Sequence, residues 1–215
     1  MIRKGLLFVV SGPSGVGKST LCKTMVAQVS KTMLSVSCTT RSPRAGEQDG
    51  VDYCFIDEPR FREMIQCDQF VEWAEVYGNL YGTPKQQLEE AIDQGTDVLL
   101  DIDAQGARQI MKRFSGAVYV FVAPPSLEVL RTRLYGRASD SPDAIERRLQ
   151  GASEEIANFR SYHYLIRNEA LSKATKELES IICAERVKTE RLNVQWLKEK
   201  GLIEAPVMKE NSTTV

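Results

Sequence analysis

The chain has little that would commit it to a membrane, a polyanion or a metal. None of its apolar runs approaches the roughly 18 residues needed to cross a bilayer. A net charge of −1 over 215 residues gives no general attraction to nucleic acid or lipid. Any anion site must therefore come from local basic clusters. The cysteines Cys22, Cys38, Cys54, Cys67 and Cys183 are odd in number, and no two have metal-binding spacing. They read as reduced thiols used as small apolar side chains, which points to the cytoplasm. Met1-Ile2-Arg3-Lys4 enters the first apolar run without a signal-peptide layout. The single histidine, His163, has no suggested Ser or Cys partner and is assigned a structural role rather than a place in a triad. Trp73 and Trp196 read as packing residues. There is no internal repeat and no low-complexity segment.

One motif dominates what is present. Gly12-Pro13-Ser14-Gly15-Val16-Gly17-Lys18-Ser19 is a glycine, four residues, then Gly-Lys-Ser. It directly follows the apolar run Leu6-Leu7-Phe8-Val9-Val10, the pattern of a buried parallel strand. Behind it, Leu21, Met25 and Val29 repeat every four residues on one helix face. Strand, glycine turn and helix in that order make a phosphate-binding loop, or P-loop. Its backbone N–H groups converge on an anion, and the helix terminus adds partial positive charge. Lys18 is expected at the β- and γ-phosphates of a nucleoside triphosphate, and Ser19 at Mg²⁺.

The rest of the chain alternates. Leu34-Ser35-Val36-Ser37 reads as a second strand. Residues 39–50 are polar, rich in Arg, Pro and Gly, without helical period. A strand at 53–56, a short helix at 59–65 and an alternating strand at 70–77 follow. Gly78-Asn79 turns the chain. A helix at 85–94 stops at Gly95. Strands at 98–101 and 117–123 flank a helix at 104–113. Leu127, Leu130 and Leu134 mark one helix face, and Ile145, Leu149, Ile156 and Phe159 another. A strand at 164–166 precedes a long helical segment from Leu171 to about Lys200, and a polar tail. This pattern predicts an α/β fold: a parallel sheet covered by helices on both faces, carrying a small mixed insertion. A frayed tail is expected at 205–215.

Several residues outside the loop carry chemistry. Asp101 ends a buried strand, where open α/β sheets place ligands, and is expected near Mg²⁺. Asp103 lies two residues on and is equally readable as a helix N-cap. Arg41 and Arg44 suit a second phosphate, with Tyr53 and Tyr81 as hydroxyl donors. Glu72 shares a strand face with Phe70, Ala74 and Val76 in an alternating pattern. A carboxylate there needs a partner. A structural arginine would serve, and so would a base with two N–H donors on one edge, as guanine has and adenine lacks. Arg131, Arg133, Arg137, Arg147 and Arg148 lie in an interrupted helical stretch that reads as a flap with cationic fingers; some of the five belong to a solvated surface.

The combination of Ser11-Gly12-Pro13-Ser14-Gly15-Val16-Gly17-Lys18-Ser19, Ser37-Cys38-Thr39-Thr40-Arg41-Ser42-Pro43-Arg44, Gly50-Val51-Asp52-Tyr53, Glu72-Trp73-Ala74-Glu75, Tyr81-Gly82-Thr83 and Asp101-Ile102-Asp103-Ala104-Gln105-Gly106 closely resembles the guanylate kinase family, from about residue 5 to Arg186. The resemblance implies transfer of the γ-phosphoryl group of ATP to GMP, with dGMP left open, by a P-loop core of 1–36 and 84–204 that carries a GMP-binding insertion at 37–83 and a helical lid near 134–148. It implies ATP contacts at Gly12, Pro13, Ser14, Gly15, Val16, Gly17, Lys18, Ser19, Thr20, Arg133, Arg137 and Asn168. It places GMP against Ser37, Arg41, Arg44, Tyr53, Glu72, Tyr81, Thr83 and Asp103, and Mg²⁺ near Ser19 and Asp101. Lys18, Arg44, Arg137 and Arg148 are the catalytic cations it implies. Neither nucleic acid nor membrane is expected as a partner, and the number of subunits is open. Two departures stand out. Thr83 replaces the family's usual serine with retention of the hydroxyl, and Arg167-Asn168-Glu169-Ala170 departs at the adenine side. The rival class is a guanylate-kinase-like protein-binding module; such modules have a degraded phosphate loop, and here the loop is intact.

Overall fold

All five residues of the first strand, β1 (Leu7–Ser11), are buried, as an apolar run covered on both faces requires. A computed structural model describes residues 3–136, 142–191, 195–202 and 204. Arg137, the middle of the expected lid, the side chain of Trp196 and the tail at 205–215 lie outside them. In chain order the elements are β1, α1 (Lys18–Gln28), β2 (Thr32–Leu34), β3 (Cys38–Thr39), β4 (Cys54–Phe55), α2 (Glu58–Gln66), β5 (Phe70–Val76), β6 (Asn79–Pro84) and α3 (Lys85–Asp93). There follow β7 (Asp97–Asp101), α4 (Ala104–Arg113), β8 (Val118–Ala123), α5 (Leu127–Tyr135), α6 (Pro142–Ala157), β9 (Tyr164–Arg167), α7 (Leu171–Arg186) and α8 (Gln195–Glu199).

Five strands form one parallel sheet in the order β2-β7-β1-β8-β9. Its two faces each carry an apolar layer. One packs Leu21, Met25, Leu178 and Ile182 of α1 and α7 onto Phe8, Val10 and Val120. The other packs Leu88, Ala107 and Ile110 of α3 and α4 onto Val9, Leu100 and Tyr119. The chain runs one way from β1 through α1 to β2 and reaches β8 on the other side of β1. That reversal leaves a crevice at the carboxyl ends of β1 and β7.

The second sheet is small and mixed, β4-β3-β6-β5, with β3 and β4 parallel and the remaining pairs antiparallel. Its own apolar cluster is Cys38, Phe61, Phe70 and Leu80. Tyr77 and Gly78, both at positive φ (51° and 77°), make the two-residue turn between β5 and β6.

Three local expectations are corrected. The second strand is Thr32–Leu34, not 34–37. After Leu34 the Ser35 N–H makes one last bond to Leu99 O, and the chain leaves for the second sheet. The segment after Leu171 is broken. Helix α7 ends at Arg186, and Lys188 and Arg191 turn back onto buried Glu185 at 2.6 and 2.8 Å. On an unbroken helix residue 191 would sit about 9 Å along the axis from residue 185, out of reach of such a contact. Phe70 does not share the setting of Glu72. A register shift between Phe70 and Glu72 sends Phe70 into the small sheet's core, against Phe61, while Val71 packs with Leu88 and Ile110. The period-2 pattern could not reveal that bulge.

Candidate active site

The turn between β1 and α1 is a left-handed track. Gly12, Gly15 and Gly17 have φ of 143°, 86° and 99°. Gly12 also passes so close to β8 that a Cβ would lie 2.2 Å from Val122 O, so only glycine fits. Helix α1 begins at Lys18 with no acid in its first turn, leaving its positive end open to an anion. Lys18 Nζ donates to Gly12 O at 2.6 Å and more weakly to Pro13 O at 3.3 Å, folded back along its own loop. Across the crevice, the Ser19 hydroxyl donates to Asp101 Oδ2 from the end of β7. Two hard oxygen donors at the mouth of a phosphate loop are the ligand type that would suit Mg²⁺. The described residues hold no cluster of three or more His, Cys, Asp or Glu able to cage a metal by themselves.

A cleft of ≈ 1170 Å³ runs from this loop to the small sheet. Of the loop residues, Gly12, Ser14, Gly15, Gly17, Lys18, Ser19 and Thr20 line it; Asp101, Asp103, Ser37, Arg44, Tyr53, Glu72, Tyr81 and Arg148 do so as well. Pro13 and Val16 turn away, and Val16 is buried in the core.

At the far end, Glu72 is 4% exposed. Its partner is not an arginine. Thr83 Oγ1 donates to Oε1 at 2.6 Å, and Ser37 Oγ stands 3.3 Å from that hydroxyl. Burial pushes the Glu72 carboxyl up to about 7. The Thr83 bond pulls it down, and the nearby Asp103 charge pushes it up again. Burial is the largest of these effects, because desolvating a carboxylate costs several kcal/mol.

Arg41 and Arg44 differ. Arg41 lies behind the cleft wall with its guanidinium forked onto Glu47 at 2.9 and 3.0 Å, and its Nε donates to Tyr81 OH at 3.2 Å. Burial works against its charge, but the hydrogen bonds to Glu47 and Tyr81 outweigh it, so its pKa rises. Glu47 also accepts the Arg44 N–H at 2.7 Å. Arg44 reaches the cleft exposed. Glu47 was not singled out from sequence; its distance of three and six residues from the two arginines was the available signal.

Asp103 satisfies both readings made of it. Oδ1 caps α4 by accepting the N–H groups of Gln105 and Gly106 at 2.6 and 2.9 Å, and the residue still lines the cleft. From α6, Arg148 Nη1 reaches Ser14 Oγ at 3.4 Å, and its guanidinium lies 4.8 Å from the Tyr77 ring. Arg133 and Asn168 do not line the cleft. Asn168 Nδ2 donates to Val16 O at 2.8 Å, Arg133 Nη1 donates to the same oxygen at 3.2 Å, and Arg133 Nη2 donates to Asn168 O at 3.0 Å. They clip the phosphate loop from behind. Arg108 and Glu155 also line the cleft without having been expected there. Glu155 Oε2 is buried without a hydrogen-bond partner among the described residues, and burial pushes its carboxyl up.

A parallel sheet with a glycine loop at its switch point, a lysine on that loop and a Ser–Asp pair beside it define a P-loop nucleotide-binding protein. Within that class the comparisons are specific. The guanylate kinase family profile matches residues 4–185. A guanylate kinase of Carboxydothermus hydrogenoformans is 48% identical over 203 residues, covering 94% of this chain and all of that one. One from Geobacter metallireducens is 51% identical over 192 residues, covering 89% of this chain and 95% of its own. The crystal structure of guanylate kinase from Anaplasma phagocytophilum superposes with a TM-score of 0.79 at 35% identity, over 94% of this chain and 98% of that one. The chain belongs to the guanylate kinase family. Among the described residues no helix is long and apolar enough to cross a membrane.

Proposed function

We propose that this chain transfers the γ-phosphoryl group of ATP to GMP, giving ADP and GDP. The observation that carries the choice of acceptor is Glu72, a buried carboxylate beside the Thr83 and Ser37 hydroxyls in the same cleft as an open phosphate loop. Its free lone pairs match two N–H donors on one edge of a base, which guanine offers.

ATP lies with its phosphates on the N–H groups of the loop and the start of α1. Lys18 leaves its hold on Gly12 O for the β- and γ-phosphate oxygens. Ser19 and Asp101 would hold Mg²⁺, whose charge would offset that of the phosphates. The GMP phosphate meets Arg44, Tyr53 and Tyr81, with Arg41 braced behind Tyr81 by Glu47. Its attacking oxygen is already anionic, so no general base is needed. Charge that spreads over the transferring group is met by Lys18, Arg44, Arg137 and Arg148, and catalysis is positioning plus charge neutralisation. Closure of the small sheet (37–83) and of the 134–148 segment over the nucleotides would exclude water.

The test is ADP release from Mg·ATP with GMP, dGMP, AMP, UMP and dTMP offered in turn, for wild type and Lys18→Ala. Expected is turnover with GMP, or with GMP and dGMP, reduced about 10²-fold or more in Lys18→Ala. Turnover with a different monophosphate overturns the role given to Glu72. Folded wild-type protein inert toward all five is a binding module instead.

A further inference from the structure

Gly106 lies in the first turn of α4, is buried, and adopts no left-handed φ. Helix propensity favours alanine there, so the glycine needs another reason. A Cβ built on it would lie 2.5 Å from Glu72 Oε2, 3.0 Å from Glu72 Cδ and 3.4 Å from Ile102 Cδ1. The carboxylate that faces the cleft therefore sits in the space that a side chain at 106 would fill.

Two further features hold this pair in register. Strand β5 is an edge of the small sheet, and α4 covers that edge with side chains four residues apart. Gln105 Nε2 donates to Glu75 O at 3.4 Å, Gln109 Nε2 to Trp73 O, and Arg113 Nη1 to Val71 O at 3.2 Å. Gln109 Oε1 also accepts the Trp73 N–H at 3.3 Å. Helical spacing of four meets strand spacing of two, so three rungs fix which strand residue falls opposite Gly106. At the helix start, Asp103 Oδ1 anchors the Gly106 N–H at 2.9 Å.

We propose that Gly106 is a positioning residue for acceptor specificity: its missing side chain is the seat that aims the Glu72 carboxylate. This rests on the reading of Glu72 as the guanine ligand. Alanine at 106 leaves the helix intact, because the atoms in its way are the end of a flexible side chain and not backbone. The Glu72 carboxylate then has to move off its hydrogen bond to Thr83, and two guanine N–H groups no longer meet both oxygens.

Four proteins test this: wild type, Gly106→Ala, Glu72→Ala and the double variant, each measured for KM of GMP, KM of ATP, kcat and Tm. Gly106→Ala is expected to raise the GMP KM roughly tenfold or more, with ATP KM unchanged and Tm lowered by only a few degrees. Because the residue acts through Glu72, the same change made in the Glu72→Ala background should add little. An unchanged GMP KM in Gly106→Ala, a parallel rise in ATP KM, or an equal loss in both backgrounds overturns the proposal. If Glu72→Ala itself leaves GMP KM unchanged, the guanine reading of Glu72 has failed. An effect in Glu72→Ala without one in Gly106→Ala removes only the seat.

Discussion

Thr83 holds the Glu72 carboxylate through a hydroxyl hydrogen bond of 2.6 Å and a backbone contact, while burial pushes that carboxyl up to about 7. The site thus keeps an acid half-protonated near neutrality until something with better donors arrives.

That state has a pH signature. The folded value lies above the ordinary 4.5, so the native state binds more protons than the unfolded chain between about 4.5 and 7. Stability from this group is fully present below 4.5 and is lost as pH rises through 7, by roughly 3 kcal/mol in all. Glu72→Gln should therefore gain stability over wild type at pH 8 and lose that advantage at pH 5. Donors from guanine favour the ionised form, so GMP KM should fall as pH rises towards 7 and then level, while Glu72→Gln shows only the slope of the GMP phosphate itself. Chemical denaturation at the two pH values and a KM profile check both. Identical profiles for the two proteins would remove Glu72 from GMP binding.

Asn168 offers a separate test behind the phosphate loop. Its amide is committed to Val16 O, shared with Arg133. A contact to the donor base would make Asn168→Ala change ATP against GTP preference. The clip instead predicts a loss common to both donors: a rise of about fivefold in KM for the triphosphate, with GMP KM little changed, because the loop loses one hydrogen bond worth about 1 kcal/mol. Donor competition kinetics distinguish the two outcomes.

Stability is concentrated away from the chemistry. Asp97 is fully buried at the amino end of β7, held bidentately by Arg3 at 2.6 and 2.7 Å, by Arg186 Nε at 2.7 Å and by the Leu6 N–H at 2.8 Å. One carboxylate ties the first strand, the central sheet and the end of α7 together. Removing it leaves two arginines partly buried without their anion, a change that costs about 3–5 kcal/mol. Asp97→Ala should lower Tm by roughly 10 °C. Asp97 lies four residues, about 13 Å along the strand, from Asp101, so both KM values should be unchanged in the protein that remains folded. A KM shift would show that the cluster reaches the cleft.

What could be read from the chain by itself was whatever chemistry is carried by neighbours in sequence. The phosphate loop is one example: Gly12 to Ser19 carry its turn, its lysine and its hydroxyl within eight residues. Buried strands and the start and end of α4 were equally legible, because apolar runs and helix spacing are local signals. The alternation that made Glu72 conspicuous was local as well, and there it misled. The register shift that separates Phe70 from Glu72 is imposed by β6 and by the two cores on either side. The break after Arg186 likewise depends on Tyr164 and Arg191 meeting at Glu185, and Tyr164 lies 21 residues from that carboxylate.

Tertiary structure alone decided which groups spend their hydrogen bonds on the protein and which keep them for a ligand. Arg41 and Arg44 are equivalent in sequence, yet Glu47 takes up the first guanidinium and leaves the second facing the cleft. Asn168 is 152 residues from the carbonyl it holds, and Gly106 is 34 residues from the carboxylate it makes room for. The physical reason is common to them. Sequence carries residue type and local period, whereas burial, the pairing of donors with acceptors and the absence of a clashing atom arise only when distant segments are packed at atomic contact.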